Sequence, residues 1–238
     1  MRQLASGVAL LLMSLALVAR AATLQISPVT VDLPPDLNAS GITLRNPGDS
    51  PLYGQVRVFR WDQSNGEDAL TPTSELVASP PLIQIPARTD QLIRLVRAIP
   101  APTDSEQSYR LLIDELPGPD QPVANGVTIR LRYSVPVFVE PVKPLGQPRL
   151  TWRLTHDEQG WTLHVVNDGA KRAQIAAVQI LTASGKSYEI NKGLLGYALA
   201  KRGRQWQVPL PADADLSGTA KVRAMINSLP AESTVNVD

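Results

Sequence analysis

The sequence predicts an all-β fold built as two β-sandwiches in tandem, and three observations carry that prediction. Pro (21) and Gly (15) together fill roughly 15% of the 238 residues against a usual share of about 12%, which disfavours long helix interiors. Apolar and polar residues exchange at every second position in Gln55-Val56-Arg57-Val58-Phe59-Arg60 and Thr128-Ile129-Arg130-Leu131-Arg132-Tyr133, the period of a half-buried strand. Residues 141–148 hold three prolines and a glycine, and the strand pattern resumes beyond them.

Residues 1–21 read as a secretion signal. Met1-Arg2 supplies the positive start, residues 7–19 the apolar stretch, and Ala19-Arg20-Ala21 the small-x-small cleavage signature. The apolar run falls short of the roughly 20 residues that span a bilayer, so cleavage and export are expected rather than anchoring. A first domain over 22–141 is expected to carry strands near 24–33, 41–46, 52–61, 82–86, 91–97, 107–116 and 123–139. About seven strands in about 120 residues is the count of an immunoglobulin-like sandwich.

The linker is placed at 142–148 and the second domain at 149–238, with strands near 149–155, 161–166, 172–182, 186–190, 204–209, 218–226 and 233–237. Asn167-Asp168-Gly169 marks a tight turn between the second and third of these. No amphipathic helix longer than two turns, internal repeat or low-complexity segment stands out.

Composition removes several chemistries. The 43% hydrophobic and 19% charged content is globular, and without Cys there is no disulfide framework, thiolate metal site or Cys nucleophile. Once Arg2 and Arg20 leave with the signal, 21 basic residues face 22 acidic ones, a balance that does not suggest nucleic acid. Ser184-Gly185-Lys186-Ser187 mimics the end of a phosphate loop, but Ile180 stands where the motif's first glycine belongs, so a hairpin turn is expected. His156, beside Asp157 and Glu158, reads as a polar turn, and His164 as a face residue of an alternating strand. Asp114 and Glu115 are strand neighbours pointing to opposite faces, so they do not act on one bond. No catalytic group, metal site or cofactor is expected.

Residues 126–139 form a run of about 14 strand-like residues, at the long end for globular proteins. Val127, Ile129, Leu131 and Tyr133 share one face; Thr128, Arg130, Arg132 and Ser134 share the other. Such a ladder either packs its own core or lends its edge to another chain.

Several segments, in order, resemble the periplasmic pilus-assembly chaperones of the PapD-like family, which serve the chaperone–usher pathway. They are Leu24-Gln25-Ile26-Ser27-Pro28, Thr43-Leu44-Arg45-Asn46-Pro47-Gly48, Pro80-Pro81-Leu82-Ile83, Gln91-Leu92-Ile93-Arg94-Leu95, Tyr109-Arg110-Leu111-Leu112-Ile113-Asp114-Glu115-Leu116-Pro117 and Val137-Phe138-Val139-Glu140-Pro141. The resemblance spans the whole chain after residue 21. It implies two immunoglobulin-like domains set at an angle around a cleft, and a binding function without ATP. The chaperone lends its long strand to a pilin subunit that lacks one, then yields it at an outer-membrane usher. On this chain the matching donor residues are Val127, Ile129, Leu131 and Tyr133, each apolar side chain contributing roughly 1.5–3 kcal/mol on burial.

The resemblance also implies a cationic anchor for the pilin's terminal carboxylate, an Arg in the first strand and a Lys late in the long one. Here no Lys or Arg lies between Ala21 and Arg45, and Pro136 takes the Lys position. The chain is therefore similar to the archaic, spore-coat-protein-U-associated branch, with Arg132 and Arg94 as candidate substitutes. Glu115 matches the acidic member of an interdomain polar contact, while Glu140 holds the basic partner's place. The short 117–123 connection and the lack of Cys argue against the long-loop disulfide subgroup.

Two other classes compete. A two-domain structural or adhesive subunit is expected to carry its own donor extension and an incomplete last strand, whereas 126–139 is complete and internal. The second is a secreted β-sandwich hydrolase or carbohydrate-binding module; a carbohydrate-binding module is expected to show an exposed aromatic platform, but aromatics are 5% and Trp61, Trp152, Trp161 and Trp206 are scattered.

Overall fold

The computed structural model describes residues 24–98, 103–119 and 129–238; the expected signal peptide lies outside them. Within the described residues the regular structure is entirely strand. The first half holds β1 (Gln25–Ser27), β2 (Val31–Leu33), β3 (Ala39–Arg45), β4 (Leu52–Asp62), β5 (Ala69–Pro72), β6 (Leu76–Ser79), β7 (Leu82–Ile85), β8 (Asp90–Arg97), β9 (Gln107–Leu116) and β10 (Arg132–Val139). The second holds β11 (Leu150–Asp157), β12 (Gly160–Asn167), β13 (Ala173–Leu181), β14 (Ser187–Ala198), β15 (Arg202–Val208), β16 (Ala220–Ile226) and β17 (Leu229–Val237).

Two sheets face each other in the first half, β1-β3-β8-β6 and β2-β10-β9-β4-β5, with β7 also paired to β4. Period-two alternation fills the space between them: Ile42, Leu44, Ile93 and Leu95 from one sheet meet Leu111, Ile113, Val135 and Val137 from the other. The second half is one seven-stranded sheet, β14-β13-β16-β17-β11-β12-β15, curled so that its end strands approach and Gly196 lies against the Trp206 ring. Its own core includes Trp152, Leu154, Leu163, Ile175, Ile180 and Val222.

One device recurs in both halves. Asn46 donates from Nδ2 to the carbonyls of Ser50, Ile85 and Pro86 while its Oδ1 accepts from Gly48 N. Asn167 does the same with Lys171, Ala198 and Leu199, and its Oδ1 accepts from Gly169 N and Arg149 N. Both side chains are buried, so each Asn satisfies backbone groups that a turn would otherwise strand away from water. Gly169 is required there: a Cβ would meet Arg149 N, Asn167 Oδ1 and Pro148 Cα at 2.9 Å.

The structure corrects three strand expectations. The segment 24–33 is not one strand; β1 pairs with β3, and after Pro28 the chain crosses to pair β2 with β10. β5 and β6 were not expected, being short, with β5 exposed throughout. Of the 126–139 run, residues 126–128 lie outside the described residues and the described part is strand only from Arg132; beyond it Leu131 keeps one main-chain bond to β9, from Glu115 N to its carbonyl, while its amide turns to the Glu115 side chain.

The halves meet through an apolar cluster of Trp61 and Phe138 with Tyr197 and Leu199. The three rings lie 5.4–6.0 Å apart, and the Arg172 guanidinium covers Phe138 at 3.6 Å. Gln63, also buried, donates from Nε2 to Tyr197 O (2.9 Å) and accepts Leu199 N on Oε1 (2.9 Å), stitching the halves by backbone-like bonds. Arg202 and Asp62 pair at 2.5 Å on the rim.

Candidate functional site

β10 is covered on one side and half bare on the other. β9 pairs antiparallel with all of it, Arg132 opposite Asp114 through Val139 opposite Gln107. On the other side β2 pairs in parallel with Val137–Val139 alone. Continuing that parallel register would set Ile26–Thr30 beside Arg132–Pro136, but the chain has left for the other sheet there. Arg132–Pro136 is therefore an edge with no strand beside it among the described residues.

Antiparallel alternation fixes which groups that edge presents. Leu131 O accepts from Glu115 N at 3.0 Å, so odd-numbered residues of this segment turn their peptide groups towards β9. The even-numbered ones turn away, as Glu140 N does in donating to Leu33 O. The bare edge thus offers the amide and carbonyl of Arg132 and Ser134, and the carbonyl alone of Pro136. An open cleft of about 460 Å³ runs along it, walled by Leu24, Ile26 and Val29 and by Arg132–Val135.

The side-chain face follows the same count. Val135, Val137 and Val139 are buried in the core, Tyr133 packs at its rim, Leu131 is 36% exposed and Ile129 is 78% exposed. The face that fills the core inside the sandwich thus continues past its end into water. Val127 lies outside the described residues. Tyr133 is held inward: its hydroxyl accepts from Leu24 N (3.1 Å) and donates to Glu115 Oε1 (3.1 Å). Burial, then the Glu115 carboxylate, push its pKa up to about 12, so the hydroxyl keeps its proton.

The candidate cations separate. Arg132 stands on the opposite face of β10 and pairs through Nε with Asp114, which also takes Arg57 Nη2 at 2.6 Å. Burial alone would raise the Asp114 pKa, but the two guanidinium groups outweigh it and hold the carboxyl below the usual aspartate range. Arg94 is exposed on β8, in the opposite sheet from β10. Reading from sequence missed Arg110, whose backbone register is Pro136. Its guanidinium lies 3.7 Å from the Trp61 ring centre and 5.7 Å from Tyr197, with no hydrogen bond or ion pair among the described residues. The polar phase of Arg110 in its strand is visible in the sequence; its placement beside Pro136 depends on long-range pairing, which is not.

Among the described residues Glu115 makes its contacts within the first half, which corrects the expectation of an interdomain contact. It sits at the far end of β9 from the second half and bonds Leu131 N and Tyr133. Charged contacts between the halves are made by Glu106, with a fully buried carboxylate, and Arg172 at 2.6 Å, by Asp32–Arg172 and Glu140–Lys171, and elsewhere on the boundary by Asp62–Arg202 and Glu67–Arg204. Glu140 thus does face a cation across the boundary.

The remaining polar candidates have structural partners. His156 packs on Trp161 at 4.7 Å, His164 Nε2 shares a hydrogen bond with Thr155 Oγ1 (2.9 Å), and residues 184–186 turn the chain from β13 to β14. Burial and the Arg153 charge hold His164 below the ordinary imidazole pKa. Asp114 and Glu115 face opposite ways and bind different partners.

Comparisons with known proteins follow the same lines. The family described as pili and flagellar-assembly chaperones, PapD N-terminal domain, matches residues 23–144. The uncharacterized fimbrial chaperone YhcA of Escherichia coli (strain K12) is 25% identical over 154 residues, 64% of this chain, and the match spans 65% of that relative's length. Among solved structures, the CsuC–CsuE complex of chaperone and tip adhesion subunit, from the archaic chaperone–usher Csu pili of Acinetobacter baumannii, matches at TM-score 0.71 and 25% identity. That match covers 91% of this chain and 100% of the other. The SafB chaperone–SafA pilin complex of Salmonella enterica shares the fold at TM-score 0.60 and 20% identity, covering 89% and 93%.

Proposed function

The chain belongs to the pilus-assembly chaperones with a PapD-type N-terminal domain, and from that premise we propose that it is a periplasmic chaperone that caps pilin subunits by lending them a strand. The family is one of assembly chaperones and not of enzymes. The observation that carries the reading is the vacancy beside Arg132–Pro136, where the chain's own first strand has crossed to the other sheet. A subunit strand laid there gains main-chain pairing along the edge, and the apolar face of Val127, Ile129 and Leu131 enters its groove while Tyr133 stays at the core rim. Each apolar side chain so buried contributes roughly 1.5–3 kcal/mol. Residues 1–21 direct export, and an outer-membrane usher takes the subunit from the chaperone. The likeness to the archaic Csu chaperone, together with a first strand free of Lys and Arg, supports a place in the archaic branch.

A terminal carboxylate costs too much to bury unpaired, so a cation receives it. Of the three arginines, Arg110 fits best, because Arg132 already faces Asp114 and Arg94 is on the other sheet. The reading is tested by replacing both Ile129 and Leu131 with Asp and co-expressing a cognate subunit. Loss of the co-purified subunit from a still-folded chaperone is expected; normal yield rejects the strand assignment.

A further inference from the structure

The segment ahead of β10 is held although its regular pairing with β9 stops at Arg132. Past Arg132 the ladder ends, yet Leu131 keeps both peptide groups engaged: its carbonyl with Glu115 N and its amide with Glu115 Oε2 at 3.3 Å. The other carboxylate oxygen, Oε1, takes the Tyr133 hydroxyl at 3.1 Å. One side chain therefore grips residues two apart on the same face, the two that precede the buried Val135 in phase. The Tyr133 oxygen also accepts Leu24 N, so the grip reaches the opposite wall of the cleft. Glu115 lies eight residues along β9 from Gln107, roughly 27 Å at strand rise, from the end that meets the second half.

We propose that Glu115 and Tyr133 form a positioning clip that sets the register in which Ile129 and Leu131 are presented to a subunit strand. A slip of one residue would exchange the apolar side chains for Arg130 and Arg132 on the presented face, so a segment with a single main-chain bond to β9 needs another device to fix its phase. The carboxylate supplies two acceptors for two donors. A Gln there supplies one, and an Ala none. The inference rests on the strand-lending reading above, and the test separates the two.

Subunit affinity and amide exchange at Leu131 are measured in the full chaperone for Glu115→Ala, Glu115→Gln and Tyr133→Phe, each alone and on an Ile129→Ala background. The clip predicts faster Leu131 exchange and affinity lowered roughly fivefold to tenfold for Tyr133→Phe, the worth of about one hydrogen bond. The loss is larger for Glu115→Ala and intermediate for Glu115→Gln. It also predicts that the loss shrinks once Ile129 is Ala, because there is less to position. If Ile129→Ala weakens binding but the clip variants bind as the parent does, or lose the same factor on both backgrounds, the clip is refuted and the strand reading stands. If Ile129→Ala leaves affinity unchanged, both fall. Tyr133→Phe is nearly isosteric, so it keeps the test open should Glu115→Ala fail to fold.

Discussion

Arg172 donates from Nη1 to a Glu106 carboxylate with no exposed surface, at 2.6 Å, and from its backbone amide to the same carboxylate at 3.1 Å. These residues come from different halves of the chain, and the second arm of Arg172 reaches Asp32 at 2.7 Å. The pair therefore helps set how β2, β9 and the loop before β13 sit against one another. That is the base from which β10 projects its bare edge.

Burial pushes the Glu106 carboxyl above the ordinary glutamate value of 4.5, even against the Arg172 charge. A raised carboxyl binds its proton more tightly folded than unfolded. Its contribution to stability is greatest below 4.5 and is lost as pH rises through the folded value. Between pH 4 and 7 the melting temperature of the parent should therefore fall relative to that of Glu106→Gln. A gap between the two that does not change with pH contradicts the assignment.

Asn167→Ala should cost more than about 3 kcal/mol in urea unfolding, since it strands three carbonyls and two amides and each buried unpaired group costs about 1–3 kcal/mol. Asn46→Ala should behave alike, because it bonds three carbonyls and one amide in the first half. A loss below about 1 kcal/mol in either would mean that water replaces the side chain.

Arg110→Ala should lower subunit affinity roughly tenfold to a hundredfold, the worth of a charge-assisted pair. Arg132→Ala should lower it less, since Asp114 already answers that charge, and Arg94→Ala should leave it unchanged. Arg110 also stacks on Trp61, so the melting temperature of each free variant is measured beside its affinity. A larger loss with Arg132→Ala returns the anchor to the long strand.

The sequence carries the strands best where burial alternates without interruption. The 91–97 expectation lies within β8, where buried Ile93 and Leu95 alternate with exposed Leu92 and Arg94. Sheet membership is a tertiary matter: nothing local in Leu24–Leu33 says that its ends pair in different sheets, and that crossing is what bares the edge. Ile129 and Leu131 were legible because their phase continues from Val135. Glu106 and Arg172 were not, being 66 positions apart with no shared pattern. Glu115 was given the wrong contact because the resemblance supplied a role and not a register.

The central claim is that a subunit strand pairs along the bare edge of β10, and residue-resolved amide exchange in the free and subunit-bound chaperone tests it most directly. The account predicts that the Arg132 and Ser134 amides exchange fast in the free protein and become protected on binding, while Tyr133 and Val135, already turned towards β9, are protected in both states. Subunit binding with no gain of protection at Arg132 and Ser134 would contradict it.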